Sequence, residues 1–371
     1  MADTNTPSDL SVGLQCPIPI SDYPTVMMAH GGGGRLTQML IDRMFVPTFD
    51  NPTLETLHDG AILEANGTRL AFSTDSFVIN PIFFPGGDIG RIAISGTVND
   101  ISCLGAAPYA LACGLILEEG LVLSDLERIL ESMKQTCIQA GVGIVTGDTK
   151  VVEKGALGGC VMNVSGIGKR TSALESNLAV VRRYRELNVR WTLDSNLAEG
   201  DTVILTGTIG DHGLAVLSAQ QGLTFGSQIL SDVKPLNRLV QNFLGAVGGV
   251  VAMKDPTRGG LADATNEWAE KSRIGILIDE DKVPIREDVK TACEMLGLDP
   301  LEIGNEGKLV IGVISEKAEE LLKFLKQTPE GKDAKIIGHA TTQFRGVAMQ
   351  TAVGGKRIIA RPVGDPVPRI C

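Results

Sequence analysis

Four aspartates stand beside apolar segments, where a carboxylate is costly unless something holds it. Asp75 lies in Ser73-Thr74-Asp75-Ser76, Asp148 in Thr146-Gly147-Asp148-Thr149-Lys150, and Asp255 in Asp255-Pro256-Thr257-Arg258-Gly259-Gly260. Asp100 is placed more oddly, on a helical stretch whose other faces carry Ile92, Ile94, Val98, Ile101 and Leu104. A lone buried carboxylate costs several kcal/mol, so the set points to cations held by oxygen donors. Magnesium beside a phosphate-bearing nucleotide is the natural candidate. Each aspartate taken singly also reads as a helix cap or a turn residue; the four together favour the metal.

The second chemical feature is the end of the chain, Gly364-Asp365-Pro366-Val367-Pro368-Arg369-Ile370-Cys371. Its prolines forbid helix and favour an extended backbone, so the terminal thiol sits on a hook. Eight extended residues span about 25 Å, enough to bring the sulfur from solvent into a pocket elsewhere on the molecule. A stray terminal cysteine is the plain alternative, and prenylation is excluded because it needs a cysteine four residues from the end. Arg369 favours the thiolate and the terminal carboxylate opposes it.

Standard phosphate cradles are absent. Gly168-Lys169-Arg170 lacks the Ser or Thr and the earlier glycine of a P-loop, and no Gly-x-Gly-x-x-Gly follows a strand. Gly31-Gly32-Gly33-Gly34 can wrap phosphates with backbone N–H groups or serve as a plain flexible loop, and Arg258-Gly259-Gly260 opens a helix whose N-terminus attracts anions.

The elements that must position these groups alternate in an α/β pattern. Residues 70–79 predict a strand and 88–104 a helix; Ser124 and Glu127 form a capping box for the next helix, which Gly141 stops, and 143–146 reads as a buried strand. After a polar stretch at 169–200 carrying Arg182, Arg183, Arg185 and Arg190, read as a linker or excursion between domains whose arginines ride a solvated charged helix or contact phosphate, strands (202–206, 275–278, 309–314) and helices (213–220, 261–271, 286–296, 318–325) alternate again. The expected domains are therefore a flexible extension (1–24), an N-terminal α/β domain (25–170), a linker or excursion (171–199), a C-terminal α/β domain (200–345) and a terminal segment (346–371).

At 371 residues and 43% hydrophobic content the chain can fill two cores. Its net charge of −10 argues against nucleic acid or acidic membranes as partners. There is no apolar run of membrane-spanning length and no signal-peptide pattern, which places the chain in the cytoplasm. Seven cysteines with no Cys-x-x-Cys, and four scattered histidines, suit neither a disulfide framework nor a zinc site.

Taken together, His30-Gly31-Gly32-Gly33-Gly34, the run 71–100 (AFSTDSFVINPIFFPGGDIGRIAISGTVND), 145–152 (VTGDTKVV), 255–261 (DPTRGGL) and Pro368-Arg369-Ile370-Cys371 resemble the HypE family of hydrogenase maturation factors. These are carbamoyl dehydratases in the superfamily of aminoimidazole ribonucleotide synthetase, with the two-domain PurM-like fold. The first four patterns are shared in looser form across that ATP-using superfamily, and the terminal Pro-Arg-Ile-Cys marks this member.

The resemblance implies a homodimer built through strands of the N-terminal domains, with ATP between the two domains of each chain. It implies that a carbamoyltransferase, HypF, loads a carbamoyl group onto Cys371, that ATP phosphorylates the amide oxygen, and that the resulting thiocyanate supplies cyanide to iron on a HypC–HypD complex. Magnesium would lie on Asp75, Asp100, Asp148 and Asp255. Nucleotide contacts would come from Gly31, Gly32, Gly33, Gly34, Asn99, Thr146, Gly147, Thr257, Arg258 and Gly259. Lys150 and Glu306 would remove the N–H proton, although Glu306 also reads as a surface turn carboxylate and Asn99 as a brace. The extension through Asp22 and the stretch 171–195 match no motif of the family. The competing readings are a superfamily kinase or synthetase acting on a free small molecule, such as a thiamine-monophosphate kinase or selenophosphate synthetase, and a non-catalytic carrier using Cys371.

Overall fold

A computed structural model describes residues 8–9, 25–49, 51–223, 228–364, 367 and 371. Most of the expected N-terminal extension, and Pro368, Arg369 and Ile370 of the tail, lie outside the described residues. Strand β1 (Ser8–Asp9) belongs to the C-terminal sheet below. The N-terminal half is a five-stranded sheet made from β2 (Ala61–Ala65), β3 (Thr68–Phe77), β6 (Ala107–Glu118), β7 (Ile144–Val152) and β8 (Cys160–Lys169), with a two-stranded ribbon of β4 (Phe83–Phe84) and β5 (Gly87–Asp88) beside it. Its order is β2-β3-β8-β6-β7, all antiparallel except β6 with β7. That parallel pair requires a crossover, which the helix Leu123–Ala140 supplies.

The helix Ile89–Cys103 packs its isoleucines onto β3 and β8. Asp88 starts it as expected, its carboxylate accepting from the Gly90 and Arg91 N–H groups. The capping box at Ser124 and Glu127 does not form: the helix begins at Leu123, with Val122 as N-cap and no side-chain cap bond, so Ser124 falls inside the first turn. The stretch at 143–146, expected as a buried strand, is also corrected. Strand β7 lies at the sheet edge and is exposed along almost its whole length, Val145 at 72% and Val151 at 67%.

Seven strands of the C-terminal half are β9 (Thr202–Leu205), β10 (Val250–Lys254), β11 (Gly275–Asp279), β12 (Val310–Val313), β13 (Lys335–Thr341), β14 (Phe344–Gln350) and β15 (Lys356–Ile358). With β1 they make a sheet ordered β1-β14-β11-β13-β9-β12-β10, β15 pairing with β14. The boundary expected at 345 falls inside β14, so this half continues beyond it. Of the two readings of 171–199, linker or excursion, the packed helix fits the excursion. It holds the helix Ser172–Val181, whose Leu174, Leu178 and Val181 are buried, and Asn177 is hydrogen-bonded to both the N–H and the C=O of Val250. Two of its arginines are engaged within the chain: Arg182 donates to the Leu187 and Val189 carbonyls, and Arg185 pairs with Asp201, while Arg183 and Arg190 are exposed.

The loop from β7 to β8 is held by one side chain. Glu118 accepts from the N–H groups of Gly155, Leu157, Gly158 and Gly159, and these bonds pull its carboxyl down to about 2. A depressed carboxyl stabilises the loop above the ordinary value near 4.5 and releases it as pH falls toward 2. Glu118→Gln is expected to speed amide exchange at Gly155, Gly158 and Gly159 at neutral pH while leaving global melting nearly unchanged.

Candidate active site between the two halves

The N- and C-terminal halves meet along a cleft of about 550 Å³, a size suited to a nucleotide. Asp75 enters it from β3, Asp100 from the helix Ile89–Cys103, and Asp255 from the turn after β10. A fourth wall carboxylate, Asp59, precedes β2. Nothing local marks it, because His58-Asp59-Gly60 looks like an ordinary turn.

These groups crowd one another. Burial raises the Asp75 and Asp100 carboxyls, and Asp75 and Asp255 push Asp100 further up. Ser73 Oγ donates to Asp100 Oδ2 at 2.9 Å. Burial and Asp59 lift Asp255 to about 7. Among the described residues, Asp255 Oδ2 and Glu306 Oε1 are buried polar atoms with no hydrogen-bond partner. Orphaned buried acceptors among several carboxylates fit a hard divalent cation. Cys103 lies within 4.8 Å of Asp59 and Asp255, but burial pushes its thiol up and keeps it protonated.

Lys254 supplies fixed positive charge behind this wall. Its ammonium binds Asp59 and reaches Glu267 at 2.9 Å, while Lys271 holds Asp194 at 2.7 Å and Arg361 binds Asp263 and Glu267. Burial alone would raise Asp194, yet Lys254, His58 and Lys271 outweigh it and hold the carboxyl down. These cations hold the Asp194 and Glu267 carboxyls down, whereas burial raises those of Asp59 and Asp263 and of Asp75, Asp100 and Asp255.

Arg258 lines the cleft beside Thr257, and its guanidinium donates to the Gly31 carbonyl at 3.1 Å. The helix Gly260–Ser272 starts there, as expected, with Gly259 at φ 76°. Gly260 leaves no room for a side chain: a Cβ would stand 2.5 Å from the Leu301 carbonyl. Of the glycine run, only Gly33 lines the cleft. Gly34 serves a different purpose, since a Cβ there would meet the Pro362 oxygen at 2.4 Å and the Arg35 N–H donates to the same carbonyl. The run therefore clasps the segment leading to the tail, a use as specific as a phosphate cradle.

Cys371 closes the arrangement. The terminal residue packs on the N-terminal core cluster, Val367 is fully buried, and the Val78 N–H donates to the Cys371 oxygen at 3.2 Å. Negative charge at Cys371 is the strongest influence raising Arg258, ahead of Asp75, Glu306 and Asp100. Glu306 is buried in the same surroundings, and burial reinforced by Asp255 and Asp232 raises its carboxyl well above the usual range. It is not a surface turn residue. Asp232 fixes its backbone by accepting from the Glu306 and Gly307 N–H groups and pairing with Lys308.

Three expectations change. Asn99 is fully engaged as a brace, donating to the Lys234 and Glu306 carbonyls and accepting from the Leu236 N–H, so it has nothing to offer phosphate. Thr146, Gly147, Asp148 and Lys150 lie on the exposed edge strand β7 and do not line the cleft of their own chain. Gly31, Gly32 and Gly259 stand next to lining residues without lining it themselves.

The chain matches the models for AIR synthase related protein, N-terminal domain over residues 57–169 and C-terminal domain over residues 198–349. It is 43% identical to a carbamoyl dehydratase HypE of Azotobacter vinelandii, covering 94% of this chain and 97% of that protein. Among solved structures it resembles a HypE–HypF complex (TM-score 0.78, 43% identity, 87% of this chain and 99% of that one) and a HypE in complex with ATP (TM-score 0.75, 43% identity, 94% and 100%). A thiamine monophosphate kinase of Aquifex aeolicus shares the fold at TM-score 0.61, but only 20% identity over 87% of this chain and 99% of that one.

Proposed function

We propose that this chain, which belongs to the AIR synthase related family and within it to the HypE carbamoyl dehydratases, uses ATP to dehydrate a carbamoyl group carried on its own Cys371, in the service of hydrogenase maturation. The observation that carries this reading is the docked Cys371, whose oxygen accepts from the Val78 N–H and whose charge acts on the cleft-lining Arg258, in surroundings where Asp255 Oδ2 and Glu306 Oε1 are buried without a hydrogen-bond partner. In the reaction, R–S–C(=O)–NH2 attacks the terminal phosphorus of ATP through its amide oxygen. ADP leaves, one N–H proton is lost, and R–S–C(=NH)–O–phosphate forms. Cleavage of the C–O bond then releases phosphate, the second N–H proton departs, and R–S–C≡N remains. An amide oxygen is a poor leaving group until it is phosphorylated, which accounts for the ATP.

Asp59, Asp75, Asp100 and Asp255 are the residues that would hold magnesium, which neutralises phosphate charge during transfer. Arg258 stabilises the transferred phosphoryl group, and Thr257 with the N-terminus of the helix Gly260–Ser272 orients it. Glu306 takes an N–H proton: burial makes its carboxylate a stronger base once ionised, and Arg258 favours that ionised form. HypF loads the carbamoyl group and the HypC–HypD complex accepts the cyanide. We place these steps in the cytoplasm, where thiols such as the free cysteines among the described residues stay reduced.

The assembly we propose is a homodimer through β7. An exposed edge strand with apolar Val145 and Val151 invites strand pairing, and the apolar groove of Leu130, Met133, Ile138 and Ile144 beside it enlarges the surface to be covered. Asp148 and Lys150 ride on this strand, so the second chain is what brings them to a cleft. Val145→Asp is expected to give a monomer by sedimentation, with dehydration at least about tenfold slower.

The test is intact mass. Incubation with HypF, carbamoyl phosphate and ATP is expected to add one carbamoyl group, and magnesium-ATP then to remove one water. If ATP is consumed with no change in protein mass, a superfamily kinase acting on a free molecule takes precedence; a carbamoyl group that stays intact leaves the carrier reading.

A further inference from the structure

Glu306 belongs to the C-terminal half, just before β12, while Asp100 rides the helix Ile89–Cys103 of the N-terminal half. Two groups on separate halves can act on one substrate only if something holds them in register. The segment 231–236 is bonded to both. On the N-terminal side, the Ser231 N–H donates to the Pro85 carbonyl at 2.8 Å, Arg91 Nε donates to the Val233 carbonyl at 3.0 Å, and Asn99 grips Lys234 and Leu236. Val233 is buried in the N-terminal core cluster. On the C-terminal side one side chain makes most of the connection. Asp232 Oδ1 accepts from the Glu306 N–H at 3.0 Å, and Oδ2 accepts from the Gly307 N–H at 3.2 Å and from Lys308 Nζ at 3.0 Å. The Lys234 N–H adds a bond to the Glu306 carbonyl at 3.3 Å. The two stretches lie so close that a Cβ at Gly307 would run into the Asp232 carbonyl oxygen.

We infer that Asp232 is a positioning residue of the dehydration: it clamps the backbone of Glu306 and, through the segment 231–236, keys that base to the helix that carries Asp100. The inference rests on the reading of Glu306 as the base. The Asp232 side chain is 4% exposed, and both of its oxygens are spent on the Glu306–Lys308 stretch, so it acts through Glu306 rather than on substrate. Burial would raise its carboxyl, but Lys308 and His212 outweigh that and hold it down, so the clamp is made by an ionised carboxylate. Bonds of that kind are short and strong, and two of them on consecutive N–H groups fix a backbone in direction as well as in place. Glu306 needs such a mount. Its Oε1 is buried with no hydrogen-bond partner among the described residues, so no bond to that oxygen steers the carboxyl group, and its aim follows from the backbone that bears it. An error of about 1 Å in a base is enough to cost about a hundredfold in rate.

The experiment is a double-mutant cycle on the full chain. Wild type, Asp232→Asn, Glu306→Gln and the double variant are each loaded with a carbamoyl group by HypF, and single-turnover water loss is followed by intact mass over a range of magnesium-ATP. Asparagine keeps the size of Asp232 but turns an amide toward a donor, and the rate is expected to fall about tenfold to a hundredfold with the half-saturating ATP concentration unchanged. Glu306→Gln is expected to cost about a hundredfold or more, and Asp232→Asn should slow that variant no further. A native rate for Asp232→Asn, a rise in half-saturating ATP with the rate kept, or a double variant slowed by both factors would each overturn the role. A native rate for Glu306→Gln would remove the base, and the inference with it. Asp232→Glu, which keeps the charge but displaces the acceptors, takes the place of the asparagine variant should that one not fold, with a loss of about tenfold expected. Amide exchange reads the clamp without the chemistry: at Glu306 and Gly307 it is expected to be about tenfold faster in Asp232→Asn and unchanged in Glu306→Gln. If the loaded wild type loses no water, the dehydration reading is what fails; faster exchange would still uphold the clamp, and equal exchange would overturn it.

Discussion

Cys371→Ala is expected to abolish both mass changes, the gain of a carbamoyl group and the later loss of water, and to reduce magnesium-ATP turnover in the presence of HypF and carbamoyl phosphate to the background of an unloaded site. The size of the effect follows from the chemistry: the sulfur is the atom on which the reacting group is carried, so its removal takes away the substrate rather than weakening a contact. The fold should barely notice. Cys371 is only partly buried at the end of the chain, and truncating its side chain should shift melting by no more than about 1–2 °C. Appending a few residues after Cys371 should fail differently. The thiol is still present and accepts the carbamoyl group, but a continuing chain is expected to disturb the bond from the Val78 N–H to the Cys371 oxygen, so water loss is expected to fall by about a hundredfold or more. An extended chain that still lost water at the native rate would refute the docked-tail mechanism.

How much of this was legible in the residues depended on whether the signal was local. The turn Asp255-Pro256-Thr257-Arg258-Gly259-Gly260 announces a helix start because proline and paired glycines constrain the backbone whatever surrounds them, and the helix begins at Gly260. The terminal Cys371, read alone, left a stray cysteine as open as a chemical hook. By contrast, Asp59, Asp232 and Lys254 carry no local mark, since their importance comes from partners far along the chain: Asp59 with Lys254, and Asp232 with the backbone of Glu306 and Gly307. Asn99 shows how one signal allows two roles, phosphate contact and brace. A polar residue in an apolar helix does announce a special contact, but sequence cannot tell a phosphate from the backbone of Leu236. Strand β7 fails in the opposite direction. Ile144, Val145 and Val151 have the composition of a buried strand, and nothing in a single sequence says whether that burial comes from its own chain or from a second copy.

The largest effect away from Cys371 should come from the shared carboxylates. Asp100→Asn keeps the shape and the hydrogen bond from Ser73, removes one negative charge from the cleft, and is expected to lower magnesium-dependent ATP turnover about a hundredfold to a thousandfold, the range for losing one preorganised electrostatic contact. The same change should stabilise the magnesium-free protein, raising its melting temperature by about 1–3 °C, because a raised carboxyl marks strain that the folded state bears when no cation is present. The sign with pH is fixed by the same argument. Asp255 has an ordinary value of 3.8 and lies at about 7 when folded, and Asp75 and Asp100 are raised as well. Groups raised on folding contribute stability that is complete below about pH 4 and is lost as pH climbs through 7. Magnesium favours the ionised forms and opposes that loss, so its stabilisation should be larger at pH 8 than at pH 5. Thermal melts in EDTA and in magnesium at both pH values measure this directly: a gain that is the same at pH 5 and pH 8 would mean that these carboxylates do not hold the ion. Asp100→Asn should shrink the magnesium gain at pH 8 while raising the EDTA baseline, so that the variant is more stable without the metal and nearly inert with it. Stability and chemistry move in opposite directions at this position because the charges that make the empty cleft uncomfortable are the charges that bind the ion.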